Sequence, residues 1–150
     1  MVRKEESIVL LEQGLKAVDA GNYATAMAKL DDAAQLGVPR TPEFDAAYAV
    51  CLAALKQQYD QAVSICRWAI DLEPCESGHY LQLGRVYLHA NKRKDAIHSF
   101  KEGILYRNDP RIMAELRRLG ERRRPVFSSL SRGHCLNRVA GKLVARWRRP

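Results

Sequence analysis

The sequence of 150 residues has few aromatic side chains and no long apolar run. It contains three Phe, two Trp and six Tyr, so its core must be mostly aliphatic. The apolar run near its start, "IVLL", is shorter than the roughly 7 to 15 apolar residues of a secretory signal. No stretch approaches the roughly 20 apolar residues of a membrane-spanning helix. We therefore expect a soluble, cytoplasmic protein.

Cysteine is scarce and is not arranged for metal binding. The four cysteines are Cys51, Cys66, Cys75 and Cys135, and no two of them form a CxxC pair. None of the four histidines lies at the spacing that a zinc finger needs. We expect reduced thiols, two of them in the core, no metal site and a reducing compartment.

Catalytic motifs are also missing. The sequence has no G-x-S-x-G, no phosphate-binding P-loop, no H-E-x-x-H and no Gly-rich loop, which are the local patterns that nucleophilic, phosphoryl-transfer and zinc chemistry use. Glu102 and Asp109 are expected to have no partner histidine at a useful spacing. The sequence therefore predicts no catalytic residue, no cofactor and no enzymatic activity.

The positive charge is confined to the end of the chain. Residues 1–110 carry 13 Lys and Arg against 15 Asp and Glu, whereas residues 111–150 carry 12 against 2. The net charges are −2 and +10. An electrostatic argument for an anionic partner therefore applies only to the last 40 residues.

A repeat organises the first 110 residues. Three alanines recur at spacings of 36 and then 34 residues: Ala26, Ala62 and Ala96. A second small residue follows each of them by seven: Ala33, Ala69 and Gly103. A proline closes each unit: Pro39, Pro74 and Pro110. Internal repeats of this length are typical of helical solenoids.

Each unit is predicted to form two amphipathic helices joined by a short turn. Small residues allow the two helices to approach closely, proline ends a helix, and only stacked neighbours can bury the apolar faces. The predicted spans are 7–20, 23–36, 43–56, 59–72, 77–90 and 93–107, followed by a capping helix at 111–120. The sequence thus predicts an all-α solenoid.

This pattern resembles the tetratricopeptide repeat family. The third unit carries the resemblance best, with Leu83, Gly84, Tyr87, Ala96 and Phe100 in register. The second unit departs from it, because "AV" stands at 49–50 where Leu-Gly is typical. The resemblance implies an N-terminal tail at 1–6, a repeat domain at 7–124 with repeats 7–40, 43–76 and 77–110, and a linker with a basic amphipathic segment at 125–150.

The resemblance also implies a groove, lined by the first helix of each unit, that binds a peptide or a helix. Carried over by position, the groove residues are Glu12, Leu15, Asp19, Phe44, Tyr48, Cys51, Leu55, Gln82, Arg85 and His89. Chaperone-binding members hold a C-terminal carboxylate with Lys and Asn, but Leu11, Leu15 and Tyr48 stand here, and only Arg85 suits an anion. The groove therefore favours an apolar or basic segment, although some of its apolar residues also fit ordinary helix packing.

The last residues form a second candidate surface. An apolar stripe recurs at helical spacing: Leu136, Val139, Leu143, Val144 and Trp147. Basic residues precede it and cover its other faces: Arg122, Arg123, Arg124, Arg138, Lys142, Arg146, Arg148 and Arg149. The segment suits docking on protein, whether its own groove, its last repeat or a second chain. It also suits an anionic membrane, nucleic acid through phosphates, or a disordered solubilising tail.

Taken together, the sequence predicts a non-catalytic adaptor that binds a segment of another protein in its groove, with the tail modulating or tethering it. The alternative is a peripheral factor that binds an anionic membrane or nucleic acid through the basic tail. Three repeats with an exposed end are also compatible with a homodimer.

Overall fold

The computed structural model describes residues 2–120, with side chains from Glu5 onward. The chain divides into two compact units, Met1–Leu116 and Arg117–Pro150. The first unit contains the three repeats. Of the second unit only residues 117–120 are described.

Helices make up all the regular structure of the described residues, which contain no strand. Three hairpins follow one another: α1 and α2, α3 and α4, and α5 and α6. Their bounds, with the final helix α7, are Val2–Asp19, Tyr23–Gln35, Pro42–Lys56, Tyr59–Leu72, Ser77–His89, Arg93–Tyr106 and Pro110–Arg118. The predicted all-α fold of three helical repeats is confirmed.

The start of α1 differs from the prediction. Residues 2–6 were expected to form an N-terminal tail, but α1 begins at Val2. The stretch "VRKEES" contains no Gly or Pro, and its charged residues have good helix propensity. A helix already formed by the residues that follow can therefore extend backward through it.

Helix starts and turns follow local chemistry. Thr41 caps α3, since its side chain accepts the backbone N–H of Phe44 at 3.2 Å, and Pro42 occupies the first turn. Asp109 precedes α7 and accepts the N–H of Arg111 at 2.8 Å. Pro110, which was interpreted as closing the third unit, thus begins α7, just as Pro42 begins α3. A proline is suited to the first turn because its missing N–H would have no partner in the helix there. Gly21 ends the first hairpin's turn with φ of +78°.

The small residues of the repeat lie where helices cross. Ala26, Ala62 and Ala96 are completely buried. The helices of each hairpin pack most closely against each other, and α3 and α5 are neighbours across repeats. At Gly84 a Cβ atom would overlap the buried ring of Phe100, so glycine is needed for the close approach of α5 and α6.

The predicted cap corresponds to α7. Ile112 is fully buried and Leu116 nearly so. A Cβ atom on Gly103 of α6 would lie 2.8 Å from Ile112 Cδ1 and 2.8 Å from Tyr80 Cβ. The apolar side of α7 therefore packs against the third repeat, and Gly120 follows the helix with φ of +71°.

Candidate functional site

One cleft, which we call the central cleft, brings together parts of all three repeats. Its volume is about 350 Å³. Three predicted groove residues line it: Leu15 and Asp19 from α1 and Gln82 from α5. Glu43 and Ala46 of α3 complete its wall. The first helices of the three repeats thus share a single concave site.

Loops between the repeats add further charged groups to the central cleft. Glu73 and Glu76 come from the α4–α5 connection, Arg107 from the α6–α7 connection and Arg111 from the first turn of α7. With Asp19 and Glu43, four carboxylates face two guanidinium groups. The cleft therefore carries an excess of negative charge.

Two of these carboxylates also hold the start of α5. Glu76 caps the helix by accepting the backbone N–H of Gly78 at 3.2 Å. Glu73 Oε2 lies 2.8 Å from Nε2 of the buried His79. These two contacts hold the α4–α5 connection against the first turn of α5, which lines the cleft.

Asp19 lies between two arginines at the edge of the central cleft. Arg85 Nη1 donates to Asp19 Oδ1 at 2.8 Å, and Arg111 Nη1 donates to Asp19 Oδ2 at 3.1 Å. Both carboxylate oxygens are used, and the two partners lie 66 and 92 residues away in the sequence. Proteins also use charge-assisted hydrogen bonds from arginine to bind the carboxylate of a ligand.

Arg85 is buried, with a side chain that is only 9% exposed, and it contacts three other side chains. Besides Asp19, it contacts Glu115 Oε1 of α7 through Nε at 3.4 Å and Gln82 Oε1 through Nη1 at 3.3 Å. A buried guanidinium needs such partners because its desolvation is costly. Arg85, which was predicted to bind an anion, is therefore already hydrogen-bonded to Asp19 and Glu115 of its own chain.

Arg111 is held by a second carboxylate. Its Nη2 donates to Asp109 Oδ2 at 2.8 Å. Burial alone raises the pKa of the Asp109 carboxyl, but its hydrogen bonds and ion pair with Arg111 outweigh burial and bring the pKa below its ordinary value of 3.8. The hydrogen bonds with Asp109, followed by those with Asp19, raise the pKa of Arg111. These groups therefore remain charged at neutral pH.

The second repeat presents its predicted groove residues differently. Phe44 and Cys51 are buried, so they contribute packing. Tyr48 stacks on Phe44 with ring centroids 6.2 Å apart, and Arg40 lies over both rings. Burial first, and then a hydrogen bond with Asp31 of α2, raise the pKa of Tyr48. This stripe therefore faces α2, while Glu43 and Ala46 on another side of α3 line the cleft.

The remaining predicted groove residues lie elsewhere on the repeats. Leu55 is 46% exposed near the end of α3, and Glu12 is exposed on α1. His89 makes an edge-to-face contact with Tyr23 of α2, with ring centroids 5.0 Å apart. This contact joins the third repeat directly to the first, next to the pair formed by Asp19 and Arg85.

Sequence reasoning missed the loop residues of the cleft. Glu73, Glu76 and Arg111 lie outside the helices that the resemblance assigns to the groove. One signal was present: the segment "LEPCES" places an acid on each side of Pro74. It was not enough, because a sequence does not show on which face a connecting segment lies.

The predicted tail surfaces lie outside the described residues. This applies to the docking face within 136–147 and to the basic residues at 122–124 and 138–149. Within residues 2–120, no helix combines the length and the apolar character needed to cross a membrane. Among the same residues, no three His, Cys, Asp or Glu side chains come together as metal ligands would.

Several solved structures are similar to this chain. The first TPR domain of human RPAP3 has 22% identity and a TM-score of 0.54, over 77% of this chain and 90% of that domain. The first TPR of Spaghetti, bound to the HSP90 peptide SRMEEVD, has 22% identity and a TM-score of 0.52, over 78% and 92%. The Arabidopsis OM64 TPR domain has 19% identity and a TM-score of 0.54, over 79% and 98%.

These likenesses define the class of fold. The described residues form an all-α array of helical hairpins, and that array has the tetratricopeptide-repeat fold. The resemblance inferred from the sequence is therefore confirmed at the level of the fold. No protein-family model matches the sequence, and no curated protein matches it.

Proposed function

We propose that this protein is a non-catalytic interaction module that binds a segment of a partner protein in the central cleft. One observation carries the proposal: α1, α3 and α5 converge on a single cleft of about 350 Å³. A cleft of this size suits a few side chains of a peptide. One similar structure, the first TPR of Spaghetti, contains a bound peptide, which supports a peptide as the class of ligand.

The charge of the cleft favours a basic segment. Asp19, Glu43, Glu73 and Glu76 outnumber the two arginines, and Arg111 is engaged by Asp109 and Asp19. A Lys or Arg side chain entering the cleft gains from these carboxylates, whereas an acidic side chain is repelled. The Spaghetti ligand, SRMEEVD, contains three acidic residues and one basic residue, so we expect this chain to select a different segment.

The test compares two synthetic probes on the full chain. One is a short fluorescent peptide in which Leu and Arg alternate, and the other alternates Leu and Glu. We expect the Leu/Arg peptide to bind with an affinity that falls with salt, because exposed charges are screened, and the Leu/Glu peptide to bind at least about tenfold more weakly. Equal binding of both peptides would contradict the proposal.

A charge reversal locates the binding to the cleft. Glu43 is exposed in the first turn of α3, and Thr41 rather than Glu43 caps that helix. We expect Glu43→Lys to weaken binding of the Leu/Arg peptide by about tenfold, which corresponds to about 1.4 kcal/mol. Asp71→Lys makes the same charge change on the exposed end of α4, outside the cleft, and should leave the affinity within about twofold. Fluorescence anisotropy measures both.

The charge distribution favours a second candidate function. Residues 111–150 carry a net charge of +10, which suits an anionic membrane or nucleic acid. A version of the protein ending at Arg124 separates the two functions. Binding to anionic vesicles or to a DNA duplex should weaken strongly without residues 125–150, which carry six of the 12 basic residues of this region, and collapse at high salt, while binding of the Leu/Arg peptide to the cleft should persist.

A further inference from the structure

The cluster around Asp19 contains a carboxylate site whose occupant is part of the chain itself. Two guanidinium groups, from Arg85 and Arg111, each donate to one oxygen of the same carboxylate, at 2.8 and 3.1 Å. A free peptide terminus or an acidic side chain would need the same two donors. In this protein Asp19 supplies the carboxylate from the end of α1.

We infer that Asp19 determines specificity by occupying this site, so that the central cleft rejects acidic peptides. The inference rests on the proposed peptide-binding function and names the residue that sets its preference. Asp19 lines the cleft, and its side chain is 35% exposed. An incoming carboxylate would therefore meet Asp19 before it could reach Arg85, whose side chain is only 9% exposed, and at Arg111 it would have to compete with Asp19 and Asp109.

The surrounding charges explain why a partner carboxylate does not displace Asp19. Arg85 also faces Glu115 at 3.4 Å and Arg111 also faces Asp109 at 2.8 Å. Three carboxylates thus surround two arginines, and a fourth would add repulsion between like charges. Asp19 is in addition held close by its own helix, so its effective concentration exceeds that of any peptide in solution.

Removal of Asp19 should expose the site. In Asp19→Ala, the Nη1 groups of Arg85 and Arg111 lose their carboxylate, and the wall of the cleft gains the space of a carboxyl group. Arg85 is almost buried, so the donor it is left with strongly favours a new acceptor. We expect the Leu/Glu peptide to bind Asp19→Ala at least tenfold more tightly than the wild type, with an affinity that falls with salt.

Two further variants show whether the gain in binding of the Leu/Glu peptide comes from the vacated site or only from the lost negative charge. Asp19→Asn removes the charge but keeps the space filled, so its gain should be smaller than that of Asp19→Ala. Asp19→Ala combined with Arg111→Gln removes one of the two donors and should lose most of the gain. Circular dichroism verifies that each variant is folded.

The outcomes distinguish this inference from the proposed function. Strong binding of the Leu/Glu peptide by the wild type overturns the inference, whether or not any variant folds. Folded Asp19→Ala that gains nothing, or folded Asp19→Asn that gains as much as Asp19→Ala, also overturns it. If the wild type fails to bind the Leu/Arg peptide while Asp19→Ala gains the acidic one, the proposed basic ligand is wrong and the inference about Asp19 stands.

Discussion

Gly84 lies where α5 crosses α6, and its missing side chain allows the two helices to approach each other. An added Cβ would overlap the ring of Phe100, which is fully buried and cannot move into solvent. We expect Gly84→Ala to lower the free energy of unfolding by about 1–3 kcal/mol, the usual cost of overpacking a core. Urea unfolding followed by circular dichroism measures it.

Gly78 of the same helix provides the control for Gly84. A Cβ there would lie 3.4 Å from Glu76 Oε1, which is a tolerable contact. Gly78→Ala should therefore be neutral or slightly stabilising, because alanine has the better helix propensity. If both variants lose the same stability, the effect does not come from the Gly84–Phe100 contact.

The Gly84–Phe100 contact and the Asp19–Arg85 pair differ in how far the sequence could predict them. Gly84 and Phe100 both fall in the register of the repeat family that the sequence resembles, so the sequence marks both positions, whereas their contact is seen in the structure. Asp19 and Arg85 were both predicted groove residues, yet nothing in the sequence indicated that they bond to each other across 66 residues. Their pairing depends on how far the first repeat reaches toward the third, which local patterns do not encode.

At the scale of the element, the turn of the second hairpin contains a strained residue. Only two residues separate α3 from α4, and Gln57 adopts a left-handed conformation, with φ of 56° and ψ of 26°. Asn91 in the turn of the third hairpin has a similar φ of 58°, but asparagine tolerates this conformation better than glutamine does. Glycine adopts this conformation freely, but a residue with a Cβ does so at a cost of about 1–2 kcal/mol.

We therefore expect Gln57→Gly to raise the free energy of unfolding by about 0.5–1 kcal/mol, after the greater freedom of glycine in the unfolded chain is subtracted. Gln58 is next in the sequence, but its φ is −84°. Gln58→Gly should lower stability, because it adds the same unfolded-state freedom without relieving strain. Urea unfolding of the two variants should thus show opposite signs, and equal signs would contradict this account.

Periodicity predicted the elements well because it reports burial directly. The helices from α2 to α7 begin within one residue of their predicted starts, for example Tyr59 for 59 and Ser77 for 77. The start of α1 was predicted too late, because "RKEES" has no apolar period yet is a good helix former. The α3 face at Phe44 and Tyr48 was assigned to the groove. In the structure Phe44 is buried, and Tyr48 bonds to Asp31 of α2.

At the scale of the whole molecule, the first repeat contacts the third. Repeat arrays usually join only neighbouring units, but here Tyr23 meets His89 and Asp19 meets Arg85. These contacts cross the middle repeat, so the three repeats should unfold together. The central cleft is thereby held in one shape, which lowers the entropic cost of binding a partner.

The burial of His89 makes the stability of the folded chain depend on pH. Burial lowers the pKa of His89 below its ordinary value of 6.5, so the folded chain favours the neutral ring. Above pH 6.5 this preference contributes fully to stability. As the pH falls through 6.5 and then through the pKa of the folded state, the unfolded chain binds the proton more readily and the contribution is lost.

Comparison of the wild type with His89→Gln isolates this effect from His79 and His98, which both chains retain. The variant should be less stable at pH 7.5, because the edge-to-face contact with Tyr23 is gone. It should, however, lose less stability than the wild type between pH 7.5 and 5.5. Urea unfolding at the two pH values should therefore show a smaller difference between the two chains at pH 5.5. A difference that is constant or grows toward acid pH would mean that burial does not lower the pKa of His89 in the folded chain.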